Sequence, residues 1–248
     1  MKRGYLLIVA AMLLLIVPAA FGAVIGNPRP VFLNTGGLDP LFNGSGTGVL
    51  DGKANPTQLG YNYFSPTGAG VSSINYSEFG LIFEFAGLAI QNELYLYNFN
   101  TNSELLKLFP GPDSPETHVN VQFSRQLNGT YNLTSYYAGP GGAVIDTETF
   151  DTPSFGFLLK SGNNNFYGDD SLNSGSAAQM LTFAGTGSYA NAYWFAFEDI
   201  QLGSSDKDYN DLVFYAQSIN PVPEPGTMML LGSGLIGLAG WGRKKFRK

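Results

Sequence analysis

The 248-residue chain has no cysteine and one histidine, His118. Without thiols it has no disulfide scaffold, no thiol nucleophile and no cysteine-ligated zinc, so a body of about 200 residues must be held by its core. A lone histidine in a strand-like run reads as a surface or packed residue rather than a base. No Gly-x-Ser-x-Gly elbow and no phosphate-cradling loop is present. Basic residues are scarce too. Lys2, Arg3, Arg243, Lys244, Lys245, Arg247 and Lys248 account for seven of 13, which leaves 6 basic against 19 acidic residues over 24–225, a net charge of −13. Such a body lacks the patch needed to neutralise phosphates, which argues against nucleic acid as a partner. Divalent cations suit clustered carboxylates better.

Long apolar runs occur only at the two ends. Lys2 and Arg3 precede the unbroken apolar stretch 6–17, and Ala20-Phe21-Gly22 supplies small residues for signal peptidase, so 1–22 reads as a secretory signal peptide. At the other end, Pro221-Val222-Pro223-Glu224-Pro225 leads into a glycine-rich apolar run and then the basic cluster. The 17 residues 226–242 rise about 26 Å as a helix, just under a hydrocarbon core of roughly 30 Å. The basic end holds the cytoplasmic side.

Val222-Pro223-Glu224-Pro225, the short apolar helix and the basic end resemble the PEP-CTERM sorting signal of Gram-negative bacteria. That resemblance implies an inner-membrane-anchored precursor, cleavage near the motif by an exosortase, and delivery to the cell surface or matrix. It also implies an association with exopolysaccharide and biofilm. A plain C-terminal anchor with a stiff proline-rich spacer is the alternative.

Between the ends, 19 Phe, 14 Tyr and 32 Gly point to β structure. Period-two runs predict strands at 80–85, 93–98, 118–123, 130–136, 154–159, 179–183, 192–197 and 212–217. Val119, Val121 and Phe123 share one face, as do Tyr193, Phe195 and Phe197. Residues 26–75 read as loop-dominated or as an irregular cover. The expected fold is all-β, an antiparallel β-sandwich or jelly-roll flanked by the signal peptide and a C-terminal transmembrane helix. The units are 1–22, a Gly/Asn-rich β region 23–140, 141–219, and the sorting tail 220–248.

Residues 154–215 carry a second resemblance. Phe155-Gly156-Phe157, Phe197-Glu198-Asp199 and Asp206-Lys207-Asp208-Tyr209-Asn210-Asp211 are similar to domain of unknown function 4114, a module of exported bacterial proteins to which no activity is attached. Gln179-Met180 stands where that family commonly has His-Val, and Gly203-Ser204-Ser205 is less glycine-rich than its usual approach.

The acidic segment also speaks for itself. Glu198, Asp199, Asp206, Asp208, Asn210 and Asp211 place hard oxygen donors on one short connection, as Ca²⁺ prefers. The spacing starts like an EF-hand, but Asp211 replaces its sixth-position glycine and Gln217 its twelfth-position glutamate, so an EF-hand is rejected. The competing reading is a capped hairpin in which Asp and Asn bond nearby backbone N–H groups. Asp169 and Asp170 are further donors if the fold brings them near.

Tyr136, Tyr137 and Tyr167 are candidate carbohydrate contacts, with Tyr61, Tyr63 and Trp194 behind them, although aromatics in alternating strands usually form core. Tyr136 and Tyr137 are adjacent, so in a regular strand one faces out. The expected function is a non-enzymatic structural or binding role in exopolysaccharide or biofilm, with Ca²⁺ as the possible cofactor. A polysaccharide hydrolase or lectin-like module is the alternative.

Overall fold

The computed structural model describes residues 41–42, 46–68, 74–84, 91–111, 113–114 and 116–222, with backbone alone for 74–84. The expected signal peptide and apolar tail lie outside these residues, as do Pro223, Glu224 and Pro225. Among the described residues no helix is long and apolar enough to cross a membrane.

In chain order the strands are β1 (Ala54–Leu59), β2 (Phe64–Pro66), β3 (Ile74–Glu84), β4 (Asn92–Asn98), β5 (Leu105–Pro110), β6 (His118–Arg125) and β7 (Tyr131–Tyr137). They continue as β8 (Val144–Phe150), β9 (Phe155–Ser161), β10 (Asn164–Tyr167), β11 (Met180–Gly185), β12 (Ala192–Phe197), β13 (Leu212–Gln217) and β14 (Ile219–Pro221). The all-β expectation holds, and all eight predicted strands form within one or a few residues of their expected ends. β3 is the exception at one end, starting at Ile74. β1, β2 and the start of β3 fall in the stretch expected to be loop: β1 is an edge strand with mostly exposed or half-buried side chains, and β2 is only three residues long, too short to show a period.

Two antiparallel sheets result. The larger runs β1-β11-β12-β13-β3-β6-β7-β8, and the smaller β14-β2-β9-β4-β5, with β10 also paired to β9. Alternation then sorts the side chains. Val119, Val121 and Phe123 of the larger sheet meet Leu94, Leu96, Phe157 and Leu159 of the smaller in one buried core, joined by Phe195, Phe197 and Phe214. Phe195 stacks on Phe214 at 4.9 Å and tilts against Phe157 at 4.5 Å.

The larger sheet also buries its opposite face. Leu41, Phe42 and Leu50 lie over Trp194, Phe183 and Tyr215 there, so the expected irregular cover is real over this segment. Trp194 is fully buried, as its alternating strand predicted. On the far side of the smaller sheet, Tyr63, Tyr95, Tyr97 and Leu158 form a third cluster. A Cβ at Gly156 would fall 2.3 Å from Tyr97 Cζ, so only glycine lets that ring lie flat on β9.

Edge strand β5 is sealed by side chains of the other sheet. Lys107 N–H donates to Asp146 Oδ2 at 2.8 Å, and Ser135 Oγ donates to Lys107 O at 2.6 Å. Both backbone groups that an edge would offer to another chain are thereby occupied at this residue.

Candidate functional site

β12 and β13 are antiparallel neighbours, with Phe197 opposite Leu212 and Ala192 opposite Gln217. The connection 198–211 therefore sits at one end of the larger sheet. Gln217, at the opposite end of β13, is remote from it, in keeping with the rejection of an EF-hand.

Gln179 anchors this connection. It is buried, and its Nε2 donates to Ile200 O at 2.8 Å and to Glu198 O at 3.3 Å, while its Oε1 accepts from Leu202 N–H at 3.1 Å. One amide thus fastens three backbone groups as the chain leaves β12. Further on, Lys207 (φ 64°) and Tyr209 (φ 57°) take left-handed backbone that non-glycine residues seldom adopt. Tyr209 fixes this geometry, with its ring buried, its hydroxyl donating to Ala178 O at 2.6 Å and its N–H donating to Glu198 Oε1 at 2.6 Å.

The six predicted residues divide into two groups. Asp208, Asn210, Asp199 and Asp211 take part in turn and cap bonds. Asp208 Oδ1 accepts from Asn210 N–H at 3.2 Å, and its Oδ2 accepts from Asn210 Nδ2 at 2.8 Å. Asp211 Oδ2 caps Asp199 N–H at 2.9 Å, and Asp199 Oδ2 accepts from Asn92 Nδ2 at 3.0 Å. These bonds are what a capped hairpin requires.

They leave Asp206 and the second oxygen of Glu198 without a role, since Glu198 Oε1 already accepts from Tyr209 N–H. Carboxylate oxygens of Glu198, Asp206 and Asp208 all lie within 4.8 Å of one another. Glu198 is fully buried, yet its Oε2 has no hydrogen-bond partner. Ser205 lies close enough to favour its ionised form, but neither Ser205 Oγ nor Glu198 Oε2 completes a hydrogen bond. Asp206 is exposed and opens the cluster to solvent.

The electrostatics follow from this crowding. Burial raises the carboxyl of Glu198 above its ordinary range, and the Asp208 and Asp206 charges push it further. Burial raises Asp208 as well. Asp211 is pushed up to about 8 by burial and by Asp199, Glu198 and Asp208. Burial and mutual repulsion thus hold three carboxyls of this loop, Glu198, Asp208 and Asp211, above their ordinary range.

The remaining predicted residues lie elsewhere. Asp169 accepts from Tyr63 OH at 2.5 Å and caps Ser171 N–H at 2.8 Å, so it serves the tyrosine cluster and a short 3₁₀ turn. Tyr136 and Tyr137 are both half-buried: Tyr137 packs on the inter-sheet core with its hydroxyl donating to Asp113 Oδ1 at 2.9 Å, while Tyr136 alternates to the face that carries Asn132 and Thr134. Tyr167 is half-buried edge-on to Tyr97 at 5.4 Å. Val222 is bound to the body, its N–H donating to Tyr63 O at 2.8 Å. Sequence reasoning missed Asn92, Tyr209 and the role of Gln179; the polar Gln179 inside an apolar run was the one available signal.

Fold and site together define an acidic two-sheet β protein with a carboxylate-lined loop at one end. Residues 143–218 match the family model for Domain of unknown function (DUF4114), which covers β8 to β13 and the whole acidic loop. Residues 221–244 match the PEP-CTERM protein-sorting motif. That motif marks an exported protein, anchored transiently in the membrane and processed by an exosortase. No curated protein and no solved structure matches the chain.

Proposed function

We propose that this protein is a non-enzymatic component of the cell surface or exopolysaccharide matrix of a Gram-negative bacterium, and that its β12–β13 loop holds a Ca²⁺ ion. The observation that carries the metal reading is Glu198: a fully buried carboxylate with an unpartnered oxygen, within 4.8 Å of oxygens from Asp206 and Asp208. A buried carboxylate left this way is costly, and a cation beside it removes the cost. The donors are all oxygens, three of them carboxylates, which fits a hard cation that takes 6–8 oxygens at roughly 2.3–2.6 Å. Glu198, Asp206 and Asp208 would hold the ion, with water and backbone carbonyls completing its shell. The ion's contribution is to neutralise the cluster and fix the loop.

Catalysis fits the same residues poorly. A general acid must touch its substrate, and Glu198, a carboxyl whose ionisation is suppressed by burial, is fully buried. The sole histidine is engaged by Tyr215 at 3.1 Å.

Equilibrium dialysis of the full chain in detergent against ⁴⁵Ca²⁺ tests the metal reading, with about one ion per chain expected and none overturning it. Mass spectrometry of the protein from its host tests the route. A mature C-terminus near Pro225 that depends on the exosortase supports it, and an intact tail at the cell surface opposes it.

A further inference from the structure

The end of the sandwich opposite the acidic loop carries a groove that neither the sorting motif nor the cation site uses. Its volume is about 530 Å³, within the roughly 300–1,000 Å³ of small-ligand clefts. The chain makes this groove by changing sheets. β13 ends at Gln217, Ser218 turns through left-handed backbone (φ 58°), and β14 then pairs with β2 through Ile219 opposite Pro66. Thr67 N–H donates to Ser218 O at 2.7 Å and closes the corner.

Tyr193, Asn191, Gln217, Asn220 and Thr67 supply the functional groups of this concavity, and among the described residues no charged side chain lines it. Among the described residues none of these five makes a side-chain hydrogen bond. Asn191, Asn220 and Thr67 are exposed, so their donors and acceptors face solvent. The Tyr193 ring is half-buried and held rigidly, edge-on to Tyr61 at 6.1 Å and against Phe64 at 5.5 Å.

We infer that this groove is a binding site for a neutral polysaccharide segment. Side-chain amides both donate and accept, so a pair of them matches the vicinal hydroxyls of a sugar, which do the same. An immobilised tyrosine offers an apolar face together with a polar tip, at little entropic cost on binding. Anionic glycans are disfavoured twice over: among the described residues no cationic side chain lines the groove, and residues 24–225 carry a net charge of −13.

The groove and the acidic loop lie at opposite ends of β12 and β13, separated by the length of a six-residue strand, roughly 17 Å. The inference therefore stands apart from the Ca²⁺ reading, and the two fail separately.

The test is affinity electrophoresis of the full chain in mild detergent, through native gels containing dextran, mannan, a soluble β-glucan or, as the anionic control, alginate. Expected is retardation by at least one neutral polymer, persistence of that retardation in EDTA, and apparent affinity at least tenfold weaker in the Asn191→Ala/Asn220→Ala double variant. Both residues are exposed, so the variant's thermal melt and Ca²⁺ uptake should match those of the parent. The inference is overturned by retardation with none of the neutral polymers, by equal retardation in alginate, or by a double variant that binds as the parent does.

Discussion

Replacing Glu198 by Gln separates a cation site from a capped turn. Gln keeps the shape and the Oε1 acceptor for Tyr209 N–H, but removes a buried charge whose second oxygen is unpartnered. If the loop were only a turn, neither protein would respond to Ca²⁺. If it holds the ion, the parent at a free Ca²⁺ concentration of 100 Kd gains about 2.7 kcal/mol. For a body of this size that raises Tm by about 5–11 °C, at 2–4 °C per kcal/mol. A carboxylate about 2.4 Å from a divalent ion contributes on the order of 3 kcal/mol even at the dielectric constant of water. Its loss weakens binding about a hundredfold, and at the same Ca²⁺ concentration the variant then gains only about 0.4 kcal/mol, or roughly 1 °C. In EDTA the order changes: the variant melts at the parent's temperature or above, because an ionised carboxylate in a buried site has been replaced by a neutral amide. Scanning calorimetry of both proteins in EDTA and in Ca²⁺ reads all four states. Equal Ca²⁺ shifts in the two proteins, or none in the parent, would refute the reasoning.

Acidity acts on the same cluster. Glu198, Asp208 and Asp211 all have raised folded-state values, Asp211 up to about 8, so the folded metal-free protein binds more protons than the unfolded chain between about 8 and the ordinary carboxylate range. In EDTA, stability should therefore rise as pH falls from 8 to 5, and Ca²⁺ should flatten that slope; urea midpoints across this range measure both. Below that window Glu93 and Glu104, whose values are lowered, act in the opposite sense and lose their contribution as they protonate. Gln179→Leu strips partners from Ile200 O and Leu202 N–H and should cost about 1–3 kcal/mol in urea unfolding while weakening Ca²⁺ uptake. Gly156→Ala drives a methyl group into the Tyr97 ring and should cost about 1–3 kcal/mol with Ca²⁺ binding intact, which calorimetry separates from a site effect.

Much of this architecture was legible because aromatic alternation is strong where both sheets bury it. Ala192–Phe197 and Leu212–Gln217 were read to the residue: each is buried on both faces and bounded by polar residues. Val144–Phe150 was missed, because it lies at the sheet edge and most of its side chains are exposed or half-buried. Asn164–Tyr167 and Ile219–Pro221 are four and three residues long, too short to show a period. The site was legible as chemistry but not as geometry. Spacing placed six oxygen-bearing side chains on one loop, yet only the fold shows that Glu198, Asp206 and Asp208 bring carboxylate oxygens within 4.8 Å of one another. Asn92 lies 107 residues before Asp199, and no local pattern links them. Tyr209 reads as an ordinary aromatic until its left-handed backbone aims its N–H at Glu198.

The cation site can be tested most directly by a crystal structure of the protein grown in CaCl₂, with anomalous data collected. The account predicts an anomalous peak at roughly 2.3–2.6 Å from oxygens of Glu198, Asp206 and Asp208. A loop with no peak, and with a water or nothing beside Glu198 Oε2, would contradict it.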